Sequence, residues 1–220
     1  MPGPVRRLSL VLLAAAAAAG CSAGGAAPPP EPAPAASTPA ATTPAPTPAA
    51  TTPAPTPAAD PVLRDELLAM LAADQADRSS AEPPDLRAEQ ARTDRLAQVV
   101  AERGWPTRTL VGSDGATAAW VVAQHSDLDP GFQTRALELM RAAAAAGEAD
   151  PGELAYLVDR VAANAGRPQT YGTQGGCAED GTAQPAPIAE PERVDALRAE
   201  AGLPPLAEYL EELAQGCGPP

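Results

Sequence analysis

The 220-residue chain has no lysine: all fifteen of its basic residues are arginine. It has one histidine, one phenylalanine and 3% aromatic residues, so the runs that announce β-strands are nearly missing. These shortages exclude whole classes of function. Against the fifteen arginines stand 28 acids, for a net charge of −13, and Arg6 and Arg7 lie apart at the N-terminus. Nucleic acid or anionic lipid is therefore excluded as the main partner, because neutralising phosphates takes clustered cations. One histidine cannot make a His-rich metal set, and no Gly-x-Ser-x-Gly elbow is present. The glycine-bearing stretch Gly104–Gly115 has the wrong spacing for a phosphate loop and no lysine to follow it. No metal and no cofactor is expected. The abundance of alanine, proline and arginine reads as the imprint of a GC-rich genome, not as function.

What is present begins with an address. Arg6 and Arg7 precede a short apolar run from Leu8 to Ala19, too short for a comfortable membrane span and ending in small residues. Ala18-Ala19-Gly20-Cys21 resembles the lipobox of bacterial lipoproteins, with Ala18 where leucine is usual. In those proteins the peptide is cut before the cysteine, whose thiol is then acylated. The expectation is a signal peptide over 1–20 and a lipid on Cys21. Each buried methylene contributes about 0.8 kcal/mol, so two or three acyl chains anchor the protein to the extracytoplasmic face of the cell membrane. An ordinary secretory signal with a chance cysteine is the alternative, and the arginine pair loosely resembles a twin-arginine export signal.

Residues 21–60 read as a disordered linker of Ala, Pro, Thr, Ser and Gly, in which T-T-P-A-P-T-P-A-A occurs twice in tandem. In polyproline II, at about 3.1 Å per residue, it spans at most roughly 120 Å. Residues 61–220 are one domain's length of chain. Cys177 and Cys217 fall in loop-like sequence, and in an oxidising compartment a disulfide is their natural pairing, with free thiols or a metal pair as alternatives.

Helix punctuation is clear. An acid followed by proline opens segments at Asp60, Asp129, Asp150 and Glu190, and Asp150 with Glu153 has capping-box spacing. Glycine closes segments at Gly104, Gly147, Gly166 and Gly202. The spacing predicts helices near 61–79, 85–103, 115–125, 130–146, 151–165, 191–201 and 205–215. The fold class is mainly α, a compact domain of six or seven helices with at most a small β-hairpin between 169–175 and 185–189.

Some polar residues continue apolar faces. Asp74 lies about 20° from Leu67 on a helical wheel, and Arg78 follows one turn on, which suits either an ion pair at the core rim or a polar pocket wall. His125 shares a face with Ala118, Val121 and Val122 and falls in a last helical turn; a buried core histidine and a working group both fit. On the helix at 151–165, Tyr156, Arg160 and Asn164 form a polar stripe with Asp159 beside it, and a loop rich in amides and hydroxyls, Gln169 to Gln174, comes next.

Taken in order, L-L-A-M-L-A-A-D-Q-A-D-R, G-W-P-T-R-T-L-V-G, A-A-W-V-V-A-Q-H-S-D-L-D-P-G-F-Q, A-Y-L-V-D-R-V and G-R-P-Q-T-Y-G-T-Q resemble the bacterial domain-of-unknown-function 6624 family over about 65–215. The resemblance implies a recurring polar set: Asp74, Gln75, Arg78, Gln124, His125, Asp159, Arg160, Tyr171, Gly172, Thr173 and Gln174. It names no reaction.

Three functions are compatible. One is a tethered binding or interaction module for an unknown small-molecule or protein ligand, with Arg78 and Arg160 pairing an anionic group and Tyr171 and Gln174 orienting it. Another is a hydrolase with His125 as general base and Asp159 or Asp129 orienting it. The third is a purely structural polar core, with function on the acidic surface.

Overall fold

The structure, a computed structural model, describes residues 58–80, 82–178 and 180–217. The expected signal peptide, Cys21 and all but the end of the linker lie outside the described residues. Within them the chain forms α1 (Pro61–Ser79), α2 (Leu86–Arg103), α3 (Arg108–Gln124), α4 (Pro130–Ala145) and α5 (Pro151–Asn164). A two-stranded antiparallel hairpin follows, β1 (Gly175–Cys177) and β2 (Ala183–Pro185), and then α6 (Val194–Glu200) and α7 (Leu206–Ala214). The mainly α class and the small hairpin are as the sequence implies. No described helix is long and apolar enough to cross a membrane.

The punctuation acts through named bonds. Asp60, Asp129 and Asp150 accept from the backbone N–H groups of Leu63, Phe132 and Gly152, which have no carbonyl partner inside the helix. Asp85 caps α2 in the same way. Glu190 does not cap; a 3-10 turn at Pro191–Arg193 leads into α6 instead. Gly104, Gly147, Gly166 and Gly202 all take positive φ at helix ends.

Helix α3 is the axis of the bundle and packs against α1, α2, α4 and α5. Gly115, Ala116, Ala118, Ala119 and Ala123 are buried along it, and their small side chains let the neighbours approach closely. It starts earlier than predicted. Arg108–Val111 already make a turn, capped by Thr107, and Gly112 at φ 76° interrupts the helix before it resumes. Trp105 and Pro106 are buried beside that start. Leu63, Leu67, Leu96, Val99, Met140 and Leu157 fill the core around α3.

Helices α3 and α5 run in the same direction. Arg108 meets Asp150, Thr117 meets Glu153, Trp120 meets Tyr156, and Asp127, just past α3, meets Arg160. This register gathers the polar residues at the C-terminal ends of the two helices. The predicted hairpin is shifted: Gly175 pairs with Pro185 and Cys177 with Ala183, while Gln169 and Ile188 share a single parallel bridge. Residues 170–174 leave the extended path because they wrap around a buried carboxylate.

Candidate functional site

Asp74 is 1% exposed in the last turns of α1. Its carboxylate accepts from His125 Nδ1 at 2.9 Å, from Gln75 Nε2 at 2.9 Å and from Arg78 Nε at 3.1 Å. Burial alone would raise its pKa, but His125 and Arg78 outweigh that and hold it below the usual carboxylate range. An ionised Asp74 accepts only, so Nδ1 of His125 carries the proton and Nε2 is the basic nitrogen. No hydrogen-bond partner for Nε2 is found among the described residues. Burial lowers the His125 pKa, Asp74 opposes this, and the fields of Arg78 and Arg160 both push it further down. The imidazole is therefore neutral at pH 7.

Three residues that follow α3 complete this end. Ser126 is fully buried, donates to the Val122 carbonyl and accepts from Thr93 at 3.0 Å, which fixes the turn. Asp127 receives the Arg160 guanidinium, Nε at 3.0 Å and a second short contact from Nη2, and also Asn164 at 2.8 Å. Gln133 spans the gap, donating to the Ala123 and Gln124 carbonyls at 3.2 Å. Arg160 Nη1 reaches Gln174 Oε1 at 3.1 Å. Arg78 also approaches Glu89 at 3.9 Å. Both arginines expected to await an anion are thus already paired with carboxylates.

Asp159 has a different task from the one expected. It is fully buried and faces the loop after α5. It accepts from the N–H groups of Thr170, Tyr171 and Thr173 at 2.7, 3.1 and 2.9 Å and from the Thr173 hydroxyl at 3.0 Å. No hydrogen bond between Asp159 and His125 is found among the described residues. Asp129 caps α4, so neither of the two expected orienters holds the imidazole; Asp74 does. Gly172 must be glycine, because φ is 71° and a Cβ would lie 2.8 Å from Leu206. Gln169, 0% exposed, bonds the Gln174 and Ala186 carbonyls and the Gln174 N–H, closing the loop on itself. Tyr171 and Gln174 are left partly exposed. Gln124 is buried, and its Oε1 finds no partner among the described residues.

Of the expected set, Asp74, Gln75, Arg78 and His125 therefore form one cluster. Asp159, Thr173, Gln174 and Arg160 form a second, continuous through Thr173 and Gln174. The two meet at the His125–Ser126–Asp127 turn. Sequence reasoning missed Asp127, Thr93 and Gln133 as members. Among the described residues no three His, Cys, Asp or Glu side chains gather as a metal site.

One carboxyl away from this cluster is also perturbed. Glu153 does not close the expected capping box; it turns to Thr117, and burial pushes its pKa up to about 7 from 4.5. With the folded pKa raised, the neutral form's contribution to stability is full below pH 4.5 and is lost as pH rises through about 7. Glu153→Gln is expected to stabilise the protein by about 2 kcal/mol at pH 8, discounting 1.36 kcal/mol per pKa unit for residual solvent contact, and to change little at pH 5. Thermal melts at the two pH values check this; equal midpoints for parent and variant at pH 8 would show that the buried carboxyl ionises without penalty.

The chain belongs to the family of unknown function DUF6624, whose family model matches residues 61–218. No curated protein matches the chain. No solved structure matches it either.

Proposed function

We propose that the protein is a membrane-anchored extracytoplasmic lipoprotein whose helical domain is a binding module, with the His125 end of the bundle as its binding surface. The observation that carries the binding reading is the Asp74–His125 pair, in which a buried carboxylate fixes the tautomer and Nε2 has no hydrogen-bond partner among the described residues. A purely structural histidine uses both ring nitrogens or buries the idle one against apolar groups. Beside it, Tyr171 and Gln174 are presented on a loop whose backbone is held at every turn. The anchor rests on the sequence from Arg6 to Cys21, and the linker stands the domain off from the membrane. Because Arg78 and Arg160 are paired, they hold the carboxylates in place and tune the imidazole; an anionic ligand would have to share them.

The same pair favours a second reading, a hydrolase with His125 as general base and Asp74 as its orienter. The ring signals of the only imidazole test these readings together. In the binding module they shift on addition of a small-molecule ligand without turnover. In the hydrolase, turnover is seen and is abolished in His125→Ala. A ring that ignores every metabolite offered sinks both and leaves a structural core with function on the acidic surface. The anchor stands or falls separately: Cys21→Ala should release the protein to the medium.

A further inference from the structure

We infer that the segment after β2 is a strap that holds the Thr170–Gln174 loop in its binding form through two positioning residues, Arg198 and Tyr209, and that the Cys177–Cys217 disulfide makes this hold redox-dependent. The inference deepens the binding reading, since the loop is part of that surface.

Asp159 takes the N–H groups of the loop, and the strap takes its carbonyls. Arg198 is 0% exposed; its Nη1 donates to the Tyr171 carbonyl at 2.8 Å and its Nε to the Pro204 carbonyl at 2.6 Å. The guanidinium lies 4.9 Å from the centroid of the Tyr209 ring, and the Tyr209 hydroxyl donates to the Thr173 carbonyl at 2.8 Å. Thr173 in turn holds Gln174, which holds Arg160. A path of direct contacts therefore runs from α7 to the Arg160–Asp127 pair.

The strap is lightly held by its own packing. Helix α7 has nine residues, too few to persist alone, and Tyr209 is its only buried one. The disulfide joins its end to Cys177, three residues beyond Gln174, closing a separation of 40 residues. Cys177 is exposed. A dithiol reductant of the extracytoplasmic space can attack there: one of its thiolates displaces a protein sulfur, its second resolves the mixed disulfide, and two electrons and two protons pass to the protein as two thiols. Release of α7 then withdraws Tyr209 from Thr173.

The test is amide hydrogen exchange on the full chain without any ligand, oxidised and after reduction, with Tyr209→Phe in the oxidised state alongside. The phenylalanine keeps the ring over Arg198 and removes only the hydroxyl. Reduction is expected to speed exchange across 170–174 by about tenfold while α3 keeps its protection, and Tyr209→Phe to give a smaller rise at the same residues. Faster exchange confined to 206–217, equal loosening of α3, or an unchanged loop in Tyr209→Phe would overturn the strap. No ligand is in the sample, so a redox-insensitive loop leaves the binding reading intact, and a module that binds nothing leaves the strap result standing.

Discussion

Asp159→Ala is expected to lower the unfolding free energy by about 4 kcal/mol, a large part of what a domain of this size holds. The carboxylate accepts from four donors of the Thr170–Thr173 loop, with the Tyr171 N–H shared between its two oxygens. Each bond to a charged acceptor contributes roughly 1.5–3 kcal/mol, and each buried donor left without a partner costs about 1–3 kcal/mol. Relief of the desolvated charge offsets part of that sum. Asp159→Asn should fare little better, because its amide –NH2 would face N–H donors and leave one oxygen to serve them. Urea unfolding measures the loss as a lower midpoint at an unchanged slope. A loss under about 1 kcal/mol would mean that solvent, not Asp159, satisfies the loop.

How far the site could be read in the sequence follows from the range of each interaction. Helix boundaries were legible because caps act within three residues: Asp60 to Leu63, Asp129 to Phe132. Pairing of Asp74 with Arg78 was legible for the same reason, one turn apart on one helix. Pairing of Asp74 with His125 was not, because it spans 51 positions and depends on α1 lying along α3. Asp127 sits in a Ser-Asp-Leu-Asp turn where acids ordinarily cap, and only the parallel register of α3 and α5 brings Arg160 to it. The hairpin was misplaced because Asp159 draws the loop inward, and no local pattern in Gln169–Gln174 shows that. Arg198, by contrast, carried a usable signal. It stands four residues after Val194, both are buried, and the rule that marks Asp74 on α1, a polar residue continuing an apolar stripe, marks Arg198 on α6.

Asp74→Asn separates the chemistry of the site from its stability. The substitution keeps the shape and removes the charge that balances Arg78, so about 3 kcal/mol of stability should be lost, at the lower end for breaking a buried pair. The more telling effect is on the ring. An ionised Asp74 can only accept, which places the proton on Nδ1. An asparagine here turns its carbonyl to the Arg78 guanidinium and its –NH2 to the ring, so Nδ1 becomes the acceptor and the proton moves to Nε2. The face that offered a base then offers a donor. Nitrogen chemical shifts of the single imidazole should therefore exchange places between Nδ1 and Nε2, and any ligand bound through Nε2 as acceptor should be lost even where the variant stays folded. Loss of the depressed Asp74 titration has a signed consequence as well. The folded pKa of Asp74 lies below its ordinary value of 3.8, so its contribution is present above that value and disappears as pH falls through the folded one. The parent should therefore lose stability below pH 3.8 through a group that Asp74→Asn lacks, whereas His125 still titrates in the variant and is depressed further, because Asp74 no longer opposes its burial. If the ring keeps its proton on Nδ1 in the variant, some group other than Asp74 sets the tautomer, and the acid–base logic of the site fails with it.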